Sequence, residues 1–185
     1  MAPPDRQNER LKIPLMFAFR DAYEKRDAKR MEDVRVDGER VISNRNSMRR
    51  GTTESVLKQD LGTDLGSLVD TINLGSAIAL DELPYVSRSV LNYGLPDLSP
   101  ITAGTDRVDI IGVNLKAALL RHEPRLNRRS LSVQRNGDDE DSGQRVRFKV
   151  HAELISRPLD IPVEFVAEVD VGAGKVFVPR IPGAT

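Results

Sequence analysis

Between residues 146 and 171 apolar and polar side chains alternate almost without a break. Val146, Phe148, Val150, Ala152 and Leu154 fall on one side, and Arg147, Lys149, His151 and Glu153 on the other. Ile161, Val163, Phe165, Ala167, Val169 and Val171 repeat the pattern against Glu164, Glu168 and Asp170. A period of two with one apolar and one wet face marks strands of an antiparallel sheet. Gly172-Ala173-Gly174 is hairpin chemistry and returns the chain into Val176-Phe177-Val178. Leu131 and Val133 begin one further strand. The apolar face of such a sheet has to be covered, which assigns the preceding segments to helices.

Upstream, the spacing changes to three and four. Leu57, Leu61, Leu65, Leu68 and Ile72 form one apolar stripe behind Thr52 and Thr53, which both suit an N-cap. Gly62 and Gly66 interrupt that helix at a cost of about 1 kcal/mol each relative to alanine, which points to close packing against a neighbour. Leu83–Gly94 reads as a second helix, with Pro84 in its first turn and Gly94 as a left-handed cap. Leu95 to Pro100 cannot continue it and must turn. A third helix starts at Thr105, with Asp106 in its first turn. It ends at His122, because Glu123 precedes Pro124 and is pushed out of helical geometry. It carries two stripes, Val108-Ile111-Leu115-Leu119 and Ile110-Val113-Ala117-Leu120, which predict a central helix buried on two faces. The expected fold is α+β: about three helices packed on one face of a mainly antiparallel sheet of about four strands, with an N-terminal arm.

That arm is residues 1–50, which carry 13 basic and 9 acidic side chains, whereas residues 51–100 carry 2 and 7. The body is residues 51–185. Within the arm, Leu15-Met16-Phe17-Ala18-Phe19 is the strongly apolar cluster, with Tyr23 one turn beyond Phe19 and a mixed-charge run over Asp21–Arg35. This reads as a short amphipathic helix with its apolar end inward, packed on its own domain or ordering on a partner.

Composition removes several function classes. Formal net charge is zero over 185 residues, which argues against bulk nucleic-acid binding, because counterion release needs a basic face. Five Phe, three Tyr and no Trp make a poor stacking platform. Zero Cys excludes thiolate metal sites and a Cys nucleophile and fits a reducing compartment. Two His cannot build a three-His zinc site. No apolar run approaches the roughly 20 residues of a membrane span, and Pro3-Pro4-Asp5-Arg6 does not open a secretory signal. No cofactor or metal is expected.

The motifs for catalysis are equally thin. There is no Gly-x-Ser-x-Gly elbow. Val171–Lys175 is glycine-rich but lacks the spacing of a phosphate loop and is not followed by a helix. Asp138–Asp141 lacks the alternating ligands of a calcium loop and reads as a solvated hairpin tip. His122 ends a helix, where it meets orphan carbonyls, and His151 lies on the wet strand face. Glu123 is the one acid at a sharp junction, but Arg125 beside it favours the charged form, the wrong direction for the general acid of a glycosidase. An ion pair, or a cap on a partner's backbone amides, fits it better.

Two segments carry a resemblance. Ser89-Val90-Leu91-Asn92-Tyr93-Gly94-Leu95-Pro96-Asp97-Leu98, followed by Glu123-Pro124-Arg125-Leu126, resembles the TssE family, the baseplate wedge subunit of bacterial type VI secretion systems. The helix start Ser55–Leu61 and the terminal strands through Val178 fall in the same order, so the likeness spans about residues 51–180. The family is related to a contractile-phage baseplate wedge protein once labelled lysozyme-like. The resemblance implies a structural, non-enzymatic subunit of the wedge with TssF and TssG, near the TssK adaptor and the VgrG hub, that seeds the TssB–TssC sheath. It makes Glu123, Pro124 and Arg125 contact residues for assembly, and Leu15, Phe17 and Phe19 the apolar anchor of a variable N-terminal extension. An open sheet edge could take strands from sheath subunits, with Leu131–Arg135 and Val176, Phe177 and Val178 as the edge candidates, and with Pro179 and Pro182 stopping further pairing. It also implies a cytoplasmic baseplate docked on an inner-membrane complex, without direct membrane insertion. The rivals are a peptidoglycan muramidase and the equivalent wedge subunit of a phage tail or extracellular injection system.

Overall fold

The computed structural model describes residues 11, 14–24, 26, 32–36, 39–43, 52–99, 105–136, 145–179 and 181–183. Helix α1 is Leu15–Glu24, and strands β1 (Glu32–Val36) and β2 (Glu39–Ser43) pair antiparallel. Helix α2 is Glu54–Val69, the short helix α3 is Pro84–Ser87, and α4 is Thr105–His122. Strands β3 (Ser132–Arg135), β4 (Arg145–Leu154), β5 (Ile161–Asp170) and β6 (Lys175–Phe177) complete the chain. They form one antiparallel sheet in the order β3-β4-β5-β6. This is the α+β architecture expected, with three helices of ordinary length and four strands.

The alternation of β4 and β5 becomes the floor of the core. Phe148, Val150, Val163, Phe165 and Val169 are buried, together with Leu57, Leu61, Leu65 and Leu68 of α2 and Ile111, Leu115 and Leu119 of α4. Thr53 caps α2, its hydroxyl accepting from the Val56 N–H at 3.4 Å. Helix α4 lies so close to the sheet that a methyl on Gly112 would meet Phe148 Cε1 at 2.9 Å.

Several expectations are corrected. Leu83–Gly94 is not one helix but α3 followed by a 3-10 turn at Val90–Asn92. The helix fails because Asn92 turns its amide onto tertiary partners, accepting from Gly75 N–H at 2.8 Å and donating to the Ser87 carbonyl at 3.0 Å. Pro84 does stand in the first turn of α3. Gly94 is required for another reason than a helix cap: its φ is +116°, and a Cβ there would lie 2.2 Å from the Thr71 carbonyl oxygen. Ile72 is outside α2 and exposed, because Asn73 N–H donates to Leu95 O and Leu95 N–H to Thr71 O, both at 2.8 Å, tying that stretch to the turn instead. Close packing does not account for Gly66, which has nothing within 4 Å of a built Cβ, while at Gly62 the neighbour is Ile181 at 3.9 Å.

Helix α4 is buried on one face, not two. Ile110 and Val113 are 50% and 67% exposed. The sheet presents a single apolar face, and among the described residues no second layer covers the other side of α4. The mixed-charge run after α1 is not helical throughout, since β1 and β2 occupy Glu32–Val36 and Glu39–Ser43. The Asp138–Asp141 tract and the side chains of Thr105, Asp106 and Val108 lie outside the described residues.

Candidate functional site

The Glu123-Pro124-Arg125 motif begins where α4 stops. Glu123 N–H still closes the last helical bond onto Leu119 O at 3.0 Å, and Leu126 N–H bonds Glu123 O at 3.1 Å, forming a tight turn. The turn is then stitched to the sheet, with Ile155 N–H donating to Arg125 O at 2.7 Å and Asn127 N–H to Glu153 O at 2.8 Å. This brings the Arg125 side chain back under the helix end. Its Nε donates to Glu123 Oε1 and its Nη2 to Glu123 Oε2, both at 2.7 Å. The same guanidinium reaches α2, with Nη1 on Asp60 Oδ2 at 2.7 Å and Nη2 on Asp64 Oδ2 at 2.5 Å. From the far side Arg20 of α1 contacts the remaining oxygens, Asp60 Oδ1 and Asp64 Oδ1.

Three carboxylates are thus held by two guanidiniums. Asp60 and Glu123 are each only 6% exposed, so the charges are viable because each is paired and hydrogen-bonded. Burial works against the Arg125 charge, but hydrogen bonding and charge from Glu123, and then charge from Asp64, outweigh it and hold the guanidinium above its ordinary pKa. Tyr93 of the Asn-Tyr-Gly-Leu-Pro-Asp segment joins the same cluster. Its hydroxyl lies 3.5 Å from Asp64 O, and burial, then the Asp64 and Glu123 charges, raises its pKa. Its ring meets His122 edge-on, centroids 5.1 Å apart. Burial, reinforced by the Arg121 charge, lowers the His122 pKa against a hydrogen bond with the Asn92 backbone. The two segments that carry the resemblance therefore meet beside one cluster on α2.

That cluster is suited to holding three elements together and poorly suited to acid catalysis. Glu123 is 6% exposed and both of its oxygens accept from the Arg125 guanidinium, so it is spent on an ion pair rather than presented to a substrate. Among the described residues no group of three or more His, Asp or Glu is placed to hold a metal ion. Of the motif, Pro124 is exposed and Arg125 half-buried, while Glu123 is enclosed. Glu123 therefore reaches any neighbour through the Arg125 it orients.

The other sequence candidates are distributed elsewhere. Leu15 and Phe19 of α1 are exposed and Phe17 is half-buried. The apolar end of α1 does not point inward. Phe17 and Arg20 face α2, lining a cavity of about 220 Å3 with Val56, Asp60 and Thr63, because the carboxylates of α2 attract Arg20 and set the rotation of the helix. Val176 is buried, Phe177 is exposed and Val178 packs partly against the core. Leu131–Arg135 and Val176–Val178 supply β3 and β6, which are both outer strands of the sheet. His151 is on the wet face as expected, with Nδ1 3.2 Å from Glu164.

Asp60, Asp64 and Arg20 were not singled out as site residues from the sequence. The signal that could have found them is the i, i+4 spacing of Asp60 and Asp64 directly beside the Leu57-Leu61-Leu65 stripe. Carboxylates at the border of a buried stripe need a cation, and Lys58 is the one basic residue of α2; it pairs with Glu54 instead.

No curated protein and no solved structure matches the chain. The family described as baseplate wedge protein gp25 matches residues 55–159, more than half of the sequence. The matched span runs from α2 past β4 and contains Asp60, Asp64, Asn92–Asp97 and Glu123–Arg125. The chain belongs to the gp25 family of baseplate wedge proteins, structural components of contractile injection systems.

Proposed function

We propose that this chain is the TssE-type wedge subunit of a bacterial type VI secretion baseplate, joining a TssF–TssG wedge to a TssB–TssC sheath. The observation that carries this reading is the shape of the sheet. Strand β6, with 3 residues, pairs only with Glu168–Asp170 of the 10-residue β5, so among the described residues the Ile161–Ala167 edge of β5 is left for another chain to pair. The Pro124–Arg125 corner supplies a second surface, toward the wedge. TssK and the VgrG hub are then neighbours in the assembly, on the cytoplasmic side of the inner membrane. No described helix is long and apolar enough to cross a membrane.

Co-purification with TssF–TssG and with TssB–TssC tests the proposal, and failure of the folded chain to bind either pair overturns it. The family description fits the wedge of a phage tail or extracellular injection system equally well, and the identity of the co-purifying tail subunits separates the two. A muramidase role predicts cell-wall turnover abolished by Glu123→Gln. The double engagement of Glu123 by Arg125 predicts none to abolish.

A further inference from the structure

Helix α4 turns one face away from the molecule, and that face is apolar. Its core side carries Ile111, Leu115, Ala118 and Leu119, all buried. On the opposite side Ile110, Val113 and Ala117 are exposed, and the spacing i, i+3, i+7 makes them one stripe. The next position along it is Arg121, whose Nη1 donates to the Ser87 carbonyl at 3.1 Å. That bond brings α3 and the Val90–Asn92 turn against the end of the stripe, where Tyr85, Val90 and Leu91 are exposed as well. Asn92, buried and bonded to Gly75 N–H and the Ser87 carbonyl, holds this second apolar group in place.

Two charges flank the stripe. Asp109 and Lys116 are exposed, and among the described residues neither has an ion-pair partner. They stand seven positions apart, close to two helical turns, so they share one flank of α4. The point midway between them falls beside Val113. A two-fold axis there pairs the helix antiparallel with a second copy of itself. Val113 then meets Val113, Ile110 meets Ala117, and Asp109 faces Lys116 twice. Parallel pairing would instead set like charges against each other. The stripe is complementary to itself in one direction only, as an isologous contact requires. The small Ala117 lets the two helices approach closely. The Tyr85, Val90 and Leu91 group, at the C-terminal end of α4, extends the contact past the first turn of the other copy's helix.

We infer that the unassembled chain forms a two-fold dimer through the Ile110-Val113-Ala117 face of α4. A second copy is the occupant that the charges select, because the flank offers one acid and one base in an order that its own inverse matches. The inference goes beyond the baseplate role and does not depend on it.

Sedimentation of the full chain between ~1 and ~100 µM is the test. The mass rises from monomer toward dimer over that range, and added salt weakens the association. Val113→Glu places two carboxylates at the centre of the contact and leaves a monomer. Asp109→Lys and Lys116→Asp each oppose like charges twice and weaken the dimer about tenfold, whereas the double variant exchanges the charges and restores wild-type affinity. All three positions are exposed, so melting temperatures are retained. A chain still monomeric at ~100 µM overturns the inference, as does a dimer that survives Val113→Glu, or a double variant no better than the single ones. If the chain stays monomeric while TssF–TssG protects the α4 amides from hydrogen exchange, the stripe is a wedge contact, and the dimer falls while the baseplate reading stands.

Discussion

Arg125 holds the cluster together because one planar guanidinium meets three carboxylates with fixed geometry. No other side chain presents donors in that fork. Replacing it with alanine strands Glu123, 6% exposed, without its cation and leaves Asp60, equally buried, to Arg20 alone. Breaking a buried pair from one side costs about 3–5 kcal/mol, so Arg125→Ala is expected to lose about that much in denaturant unfolding. Arg125→Lys recovers only part, since a single ammonium cannot serve Glu123 and α2 at once. Pro124→Ala, at the exposed corner, is expected to cost less than about 1 kcal/mol, so a larger effect on assembly would report on contact there. A second residue-scale expectation concerns His122. Burial and Arg121 depress its folded pKa below 6.5, so as pH falls through 6.5 the unfolded chain takes up the proton first. Stability present above that pH is lost on the way down to the folded pKa. Unfolding free energies measured from pH 7.5 to 5 should fall more steeply in the wild type than in His122→Gln. Asp97, whose pKa is lowered mainly by the Ser99 hydroxyl, and then by the Ser99 N–H, adds its own loss only in the carboxylate range.

At the scale of elements, two glycines test how tightly the layers meet. In Gly112→Ala the new methyl is driven against the buried Phe148 ring at 2.9 Å. Overpacking costs about 1–3 kcal/mol, which exceeds the gain in helix propensity, so the melting temperature falls. In Gly66→Ala the methyl meets nothing within 4 Å, and α2 gains about 0.5–1 kcal/mol. Thermal unfolding of the two variants should shift in opposite directions. The contrast also shows what a sequence can disclose. Strands β4 and β5 were legible because a ten-residue alternation has no other stable reading, and the end of α4 was legible because Pro124 forbids continuation. The break between α3 and the Val90–Asn92 turn was not, since it depends on Asn92 finding Gly75, seventeen positions away. The second stripe of α4 misled for a related reason: periodicity reports apolar faces, not whether a layer exists to cover them. For β1 and β2 the signal is present in the sequence. Asp37-Gly38 lies between the registered ends Val36 and Glu39, the commonest two-residue hairpin chemistry.

Across the whole molecule, two different kinds of contact among the described residues join the N-terminal segment to the body. Thr52 N–H bonds Leu11 O at 2.9 Å, a short backbone link, while α1 is held by Arg20 on Asp60 and Asp64. The outward side of α1 exposes Leu15, Met16, Phe19 and Tyr23, so apolar burial contributes little to its docking and charge contributes most. The same carboxylates serve Arg125, whose turn is built into the core through Leu126 and Ile155 N–H. The cluster is therefore asymmetric: one arginine is fixed by the fold, the other arrives on a separable helix. Arg20→Ala should release α1 and leave the sheet and α4 intact, because Arg125 still neutralises Asp60 and Asp64. Limited proteolysis after Tyr23 reads this directly. Cleavage about tenfold faster corresponds to about 1.4 kcal/mol of docking free energy, while global unfolding shifts far less than in Arg125→Ala. Raising the salt concentration should accelerate cleavage of the wild type toward the variant's rate, since the Arg20 and Asp64 side chains are 26% and 33% exposed and open to screening. Equal cleavage of wild type and variant at low salt would mean that Phe17 and the backbone link hold α1, and that Arg20 only fills the space beside them.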